Sequence, residues 1–129
     1  VFARLPNFEL VDWELTLAAA PPIPDCEDWM SADTPRARWM YQVSRKTRRF
    51  LDSIGSATWA WADPLAMWVW WDPTCVTRWQ SARVEVLLEG AARGTTLLDR
   101  RAGPGNARVA MAVDITAFHA GLAEALGRD

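Results

Sequence analysis

The sequence predicts an α+β fold in which an antiparallel sheet of about five or six strands packs on one long amphipathic helix, with a short helix at the C-terminus. Three observations lead to this prediction. Apolar residues recur at helical spacing between Pro35 and Ile54, apolar and polar residues alternate in several other segments, and prolines and glycines separate those segments. At 129 residues the chain has the usual size of one domain, so we expect residues 1–129 to form a single globular domain.

The first strand is predicted within residues 8–18. Trp13, Leu15 and Leu17 alternate there with polar residues, which is the period of a strand with one buried face. Three prolines and a run of acidic residues follow, and they predict an irregular loop over residues 21–33.

The long helix is predicted from Pro35 to Ile54. Thr34 can accept a hydrogen bond from a first-turn amide, the fixed φ of Pro35 suits the first helical position, and Gly55 can end the helix. The apolar residues at helical spacing are Trp39, Met40, Val43, Phe50, Leu51 and Ile54. Basic and polar residues occupy another side, so the pattern is that of an amphipathic helix with one buried face.

The segment from Ala57 to Trp71 is predicted to be a hairpin or a pair of neighbouring strands. Its tryptophans stand two residues apart on both sides of an Asp-Pro pair, a spacing that fits a strand better than a helix. The tryptophans concerned are Trp59, Trp61, Trp68 and Trp70.

Three further strands are predicted downstream. Residues 78–89 fit a helical stripe in part, but β-branched residues dominate the middle of the segment and favour a strand. Residues 95–98 and 108–113 are flanked by glycines, so they are predicted to form two shorter strands joined by a turn.

The last element is predicted to be a helix over residues 117–126. Asp114 or Thr116 can cap its first turn, and Gly127 can end it. This helix carries His119, the only histidine of the chain.

The charge balance argues against nucleic acid as a partner. The formal net charge is −2 and the pI about 5.4, so no overall positive field attracts phosphate backbones or an anionic membrane. A basic stripe with Arg38, Arg45 and Arg49 lies on the predicted long helix, and it could contact phosphates. We favour the simpler interpretation that this stripe is a solvated face.

The cysteines and the apolar segments indicate the cellular compartment in which the protein is expected. Cys26 and Cys75 are expected to be reduced and partly buried, because a domain of this length folds without a disulfide. The N-terminus lacks a signal-peptide pattern, and Asp63 and Pro64 interrupt the most apolar stretch, residues 53–71. We therefore expect a cytoplasmic protein.

The main functional hypothesis concerns the tryptophans. Adjacent residues of a strand point to opposite faces, so Trp70 and Trp71 cannot both face the core. We interpret the chain as a non-catalytic binding or interaction domain, a homo-oligomer that holds an apolar ligand or a protein partner on a tryptophan-rich sheet face. The residues expected to bind are Trp68, Trp70, Trp71 and Trp79.

The alternative is a small cofactor-independent enzyme with an aromatic pocket. Asp63 and Asp72 each follow a tryptophan-rich segment and precede a proline, and they or His119 could act as acid or base. An Asp-Pro pair is also a common turn signal, and a histidine of this kind would need a carboxylate such as Asp114 or Glu124 to orient it. No cofactor motif and no metal-ligand set is found, so neither a cofactor nor a metal is predicted.

Overall fold

A computed structural model describes residues 7–101 and 104–127 and confirms the predicted α+β class. The strands are β1 (Phe8–Leu10), β2 (Val76–Val86), β3 (Thr96–Asp99) and β4 (Ala107–Val113). The helices are α1 (Trp13–Ala18), α2 (Ile23–Met30), α3 (Pro35–Val43), α4 (Arg45–Ser53), α5 (Ala62–Trp71) and α6 (Ile115–Gly127), with a short 3₁₀ helix at Pro73–Cys75. Within these residues no helix combines the length and hydrophobicity needed to cross a bilayer.

The sheet is mixed and smaller than predicted. In the described part of the chain it has four strands in the order β1-β4-β2-β3. Strand β2 pairs antiparallel with β3 and β4, whereas β1 pairs parallel with β4. The prediction of an antiparallel sheet of five or six strands is corrected accordingly. A parallel neighbour needs a long connection, and all of α1 to β3 lies between β1 and β4 in the chain.

The predicted strand over residues 8–18 is a strand only as far as Leu10. Asp12 then caps helix α1, because its Oδ1 accepts a hydrogen bond from the backbone N–H of Leu15 at 2.8 Å. Leu15 and Thr16 are buried while Trp13 is exposed, which is a helical arrangement and not an alternating one. The alternation of apolar residues was therefore misleading at this position.

The predicted loop over residues 21–33 contains helix α2. Its prolines lie before or within the first turn, where the missing N–H costs nothing. Cys26 and Met30 are four residues apart and both buried, so α2 presents one apolar face to the core.

The predicted long helix consists of two helices. Thr34 caps α3 as predicted, with its Oγ1 accepting from the N–H of Ala37 at 3.1 Å. Ser44 separates α3 from α4: its side chain is buried and its hydroxyl contacts the Sδ of Met30 and the carbonyl of Tyr41. A serine hydroxyl that competes for backbone groups can bend a helix. Helix α4 buries none of its residues, so the predicted continuous apolar face is wrong.

The tryptophan-rich segment forms a helix, not a hairpin. Asp63 and Pro64 lie in the first turn of α5, where proline favours a helix start. Leu65 and Val69 are buried one turn apart, whereas Trp70 and Trp71 are 70% and 80% exposed. The spacing of two between the tryptophans does not reflect a strand, because tertiary packing selects the helical face that includes Leu65.

The remaining elements follow the predictions closely. Strand β2 includes most of residues 78–89, and β3 and β4 match the two short strands to within one residue at each end. Helix α6 is also confirmed, and Asp114 caps it by accepting from the N–H of Ala117 at 2.9 Å.

The main core lies between α1, α2, α5, α6 and one end of the β2–β4 pair. Its buried members include Leu15, Cys26, Met30, Trp59, Trp61, Leu65, Val69, Val113, Phe118 and Leu122. A second, smaller cluster joins Ala82 and Val84 of β2 to Ala107 and Val109 of β4. Helix α6 packs on α2 and α3, and Thr34 joins it to them through a 2.6 Å hydrogen bond to the carbonyl of Leu126.

Candidate functional site

Asp63 is the acid–base candidate that lies open to solvent. It occupies the first turn of α5, is exposed, and has no hydrogen-bond or ion-pair partner among residues 7–101 and 104–127. The helix start beside it has no side-chain cap, since the capping position is Trp61. A free carboxylate next to uncapped first-turn amides can accept hydrogen bonds from a ligand while the amides donate them.

Two tryptophans whose rings pack against each other lie just before Asp63. The rings of Trp59 and Trp61 meet edge to face with centroids 5.0 Å apart, and both are buried. This packing holds the start of α5 in place through the backbone of Trp61, whose carbonyl accepts from the N–H of Leu65 at 3.2 Å. The Nε1 of Trp61 is buried without a hydrogen-bond partner in the described part of the chain.

Asp72 is engaged locally. Its Oδ1 accepts from the backbone N–H of Thr74 at 3.0 Å and from the Thr74 hydroxyl at 2.5 Å. These bonds start the 3₁₀ helix that leads into β2. The arrangement is an Asp-Pro turn, which needs no catalytic role for the carboxylate.

His119 is engaged as well. Its Nε2 lies 2.9 Å from the carbonyl oxygen of Ala19, which can only accept, so this nitrogen donates. The ring lies half-buried against Trp29 and Phe118, with centroid distances of 6.1 and 6.0 Å. Asp114 caps α6 and does not orient the imidazole. His119 therefore ties α6 to the end of α1.

The four tryptophans predicted to bind a ligand do not share a sheet face. Trp68 is half-buried on α5 and stacks on Phe118 at 5.2 Å, while Trp79 lies on β2 beneath the guanidinium of Arg108 at 4.1 Å. Trp70 and Trp71 are exposed at the end of α5. Because three of the four are helical, the sheet surface that was expected to hold a ligand does not exist in the predicted form.

The two cysteines are buried and free, as predicted. Burial, reinforced by the charge of Asp25, raises the pKa of Cys26 to about 11. Burial also raises the pKa of Cys75, with Asp72 adding to the effect. Both groups are thiols at neutral pH, so neither is suited to nucleophilic catalysis.

The predicted basic stripe is divided by the break at Ser44. Arg38 on α3 forms an ion pair with Asp33, whereas Arg45 and Arg49 lie on α4 and line a cleft. This cleft was not predicted, because it depends on how α4 is placed against α2. In the part of the chain that the structure describes, no three metal-ligating side chains converge.

Comparisons with known proteins identify the family and the fold. The family model of inosine-uridine preferring nucleoside hydrolases matches residues 1–120. The chain superposes on a plant nucleoside hydrolase with a TM-score of 0.85 and 21% identity, covering 99% of this chain and 43% of that one. An inosine-guanosine nucleoside hydrolase gives a TM-score of 0.79 at 20% identity, over 92% of this chain and 38% of that one. A purine-preferring ribonucleoside hydrolase from Gardnerella vaginalis gives 0.74 at 23% identity, over 92% and 39%.

A comparison with curated proteins returns no match. The chain spans about two-fifths of the length of the three solved hydrolases. The hypothesis of a non-catalytic domain that binds an apolar ligand or a protein partner is wrong, because the family is one of enzymes that act on nucleosides. Since the family model covers all but the last nine residues, this chain belongs to the family of inosine-uridine preferring nucleoside hydrolases.

Proposed function

We propose that this chain carries part of an enzyme that hydrolyses the N-glycosidic bond of ribonucleosides. In this reaction the oxygen of water bonds to C1′ of the ribose, the bond from C1′ to the base nitrogen breaks, and the base nitrogen gains a proton. The observation that carries the proposal is the match of the family model over residues 1–120. The description of the family model and the name of one solved hydrolase make inosine, uridine and guanosine the first substrates to test.

Within the chain, we assign the catalytic contribution to Asp63. Glycoside hydrolysis passes through a transition state with positive charge on the sugar, and a carboxylate can stabilise that charge or activate the attacking water. The carboxylate of Asp63 is exposed and has no partner among the described residues. It is therefore free to contact the sugar or the water.

Asp72 and His119 receive structural roles in the proposal. The carboxylate of Asp72 is bonded to the backbone and hydroxyl of Thr74, and the imidazole of His119 is bonded to Ala19. One carboxylate oxygen of Asp72 and one ring nitrogen of His119 are thereby held by protein groups. Of the three acid–base residues predicted from the sequence, Asp63 therefore has the best geometry for contact with substrate.

The test is nucleoside hydrolysis by the protein and by Asp63→Asn, measured as release of free base from inosine, uridine and guanosine. Loss of a carboxylate that takes part in acid–base catalysis is expected to lower kcat by about 100-fold or more. Asp28→Asn is the matched control, because Asp28 is an exposed aspartate on α2 whose carboxylate has no partner in the described part of the chain.

Two results would count against the proposal. If the unaltered protein releases no base from any of the nucleosides, the assigned activity is wrong. If Asp63→Asn keeps the activity of Asp28→Asn, the activity stands and the role of Asp63 does not.

A further inference from the structure

A cleft of about 650 Å³ opens beside α2 and α4. Its volume is in the usual range of ligand sites, roughly 300–1,000 Å³. The charged and aromatic side chains that line it are Glu27, Tyr41, Arg45, Arg48, Arg49 and Asp52. None of Asp63, Asp72 and His119 lines this cleft.

Arg48 is held in one orientation. Its Nη2 donates to the carbonyl of Tyr41 at 3.0 Å, its Nε donates to the hydroxyl of Ser44 at 3.3 Å, and its guanidinium lies 3.9 Å from the centre of the Tyr41 ring. These contacts leave other N–H groups of the guanidinium free to donate. A fixed guanidinium loses little entropy when it binds a planar or tetrahedral anion.

Arg45 and Arg49 lie one helical turn apart, and both are exposed. Neither has a hydrogen-bond or ion-pair partner among residues 7–101 and 104–127. Glu27 and Asp52 line the same cleft, yet neither forms an ion pair with an arginine there. Three positive and two negative charges therefore stand unpaired around one cavity.

The position of the arginines on α4 adds to their affinity for an anion. The first turn of α4 contains no acidic residue, and its capping residue Ser44 makes no side-chain cap bond. The positive end of a helix dipole therefore lies near the positive charges of Arg45 and Arg48, which is unfavourable until an anion is bound. A phosphate bound by these side chains relieves the repulsion, because its oxygens accept from guanidinium N–H groups.

The two carboxylates restrict the kind of anion. An isolated phosphate would meet Glu27 and Asp52 without being able to donate hydrogen bonds to both, whereas sugar hydroxyls can donate to carboxylates. We propose that the cleft binds a phosphorylated sugar, with the phosphate on Arg45, Arg48 and Arg49 and the hydroxyls directed to Glu27 and Asp52. The proposal rests on the cleft alone and holds whether or not the protein hydrolyses nucleosides.

The test is calorimetric titration with ribose 5-phosphate, ribose and inorganic phosphate at about 20 mM salt, where charge interactions are weakly screened. Ribose 5-phosphate is expected to bind more tightly than either fragment. Arg45→Gln and Arg49→Gln should each weaken its binding about tenfold, which corresponds to loss of one charge-assisted hydrogen bond. Arg93→Gln is the matched control, because Arg93 is also exposed and unpaired within the described residues but lies outside the cleft.

Three results would overturn the proposal. Ribose that binds as well as ribose 5-phosphate would remove the role of the arginines. Inorganic phosphate that binds as well would remove the role of the carboxylates. An equal loss in Arg93→Gln would show a general charge effect in place of a site. Because Arg45 and Arg49 are exposed, circular dichroism is expected to show all three variants folded.

Discussion

Replacement of Leu65 by alanine tests the helix that carries Asp63. Leu65 and Val69 are fully buried or nearly so, whereas Met67 between them is 58% exposed. In a strand, these three side chains would share one face and would be buried or exposed together. The stability cost of truncating Leu65 and Met67 therefore distinguishes the helix from the hairpin that the tryptophan spacing predicts.

The expected magnitude follows from the burial. Leu65→Ala removes about three buried carbon atoms at roughly 0.8 kcal/mol each, or about 2.4 kcal/mol. The cavity left in a core that cannot fully collapse raises this to about 3–4 kcal/mol. Met67→Ala should change the free energy of unfolding by less than about 0.5 kcal/mol, because its side chain is largely in solvent.

Urea unfolding followed by tryptophan fluorescence measures both values. With an m-value of about 1.5 kcal/mol per molar urea, Leu65→Ala should lower the midpoint by about 2–2.7 M, and Met67→Ala by less than about 0.4 M. Equal shifts in the two variants would contradict the helix. So would a shift for Leu65→Ala as small as the one expected for Met67→Ala.

Two further predictions concern stability. Thr34→Val removes the hydrogen bond that caps Ala37 and leaves the carbonyl of Leu126 without its 2.6 Å donor. The free energy of unfolding in urea should therefore fall by about 2 kcal/mol. A loss no greater than that of Thr77→Val, a substitution at an exposed threonine, would contradict this. The pKa of Cys26 is raised from 9.0 to about 11 on folding, so its contribution to stability is complete below pH 9.0 and declines as the pH rises through about 11. Cys26→Ala should therefore lose less stability between those pH values than the unaltered protein, and parallel profiles would refute the assignment.

Local signals in the sequence correctly predicted where several helices begin or end. Thr34 and Asp114 cap helices because a short side chain can reach a first-turn amide whatever the tertiary fold. Gly55 has a φ of 63°, a conformation that suits glycine, and α4 ends just before it. The strand segments before and after the glycine-rich turns were predicted for the same reason, since β-branched residues and turn residues act over a few positions.

The candidate site was predictable only in part. Asp63, Asp72 and His119 are all acid–base candidates in the sequence. Only their hydrogen bonds separate the free carboxylate from the two groups with structural roles. The cleft depends on residues from three helices, α2, α3 and α4. The pairing of Arg48 with Tyr41 depends on the break at Ser44. No sequence pattern marks such a break in advance, because the buried Met30 that contacts Ser44 belongs to another helix.

The tryptophan-rich segment shows what the sequence determines and what only the tertiary structure decides. Its sequence by itself determined that the chain changes direction at Asp63-Pro64, which was predicted as a turn between two strands and is the start of α5. It could not determine the period, since apolar residues surround the helix on every side and fit a strand as well. Only packing against the rest of the core, which buries Leu65 and Val69 and leaves Trp70 and Trp71 in solvent, decided that the segment is helical and presents Asp63 at its first turn.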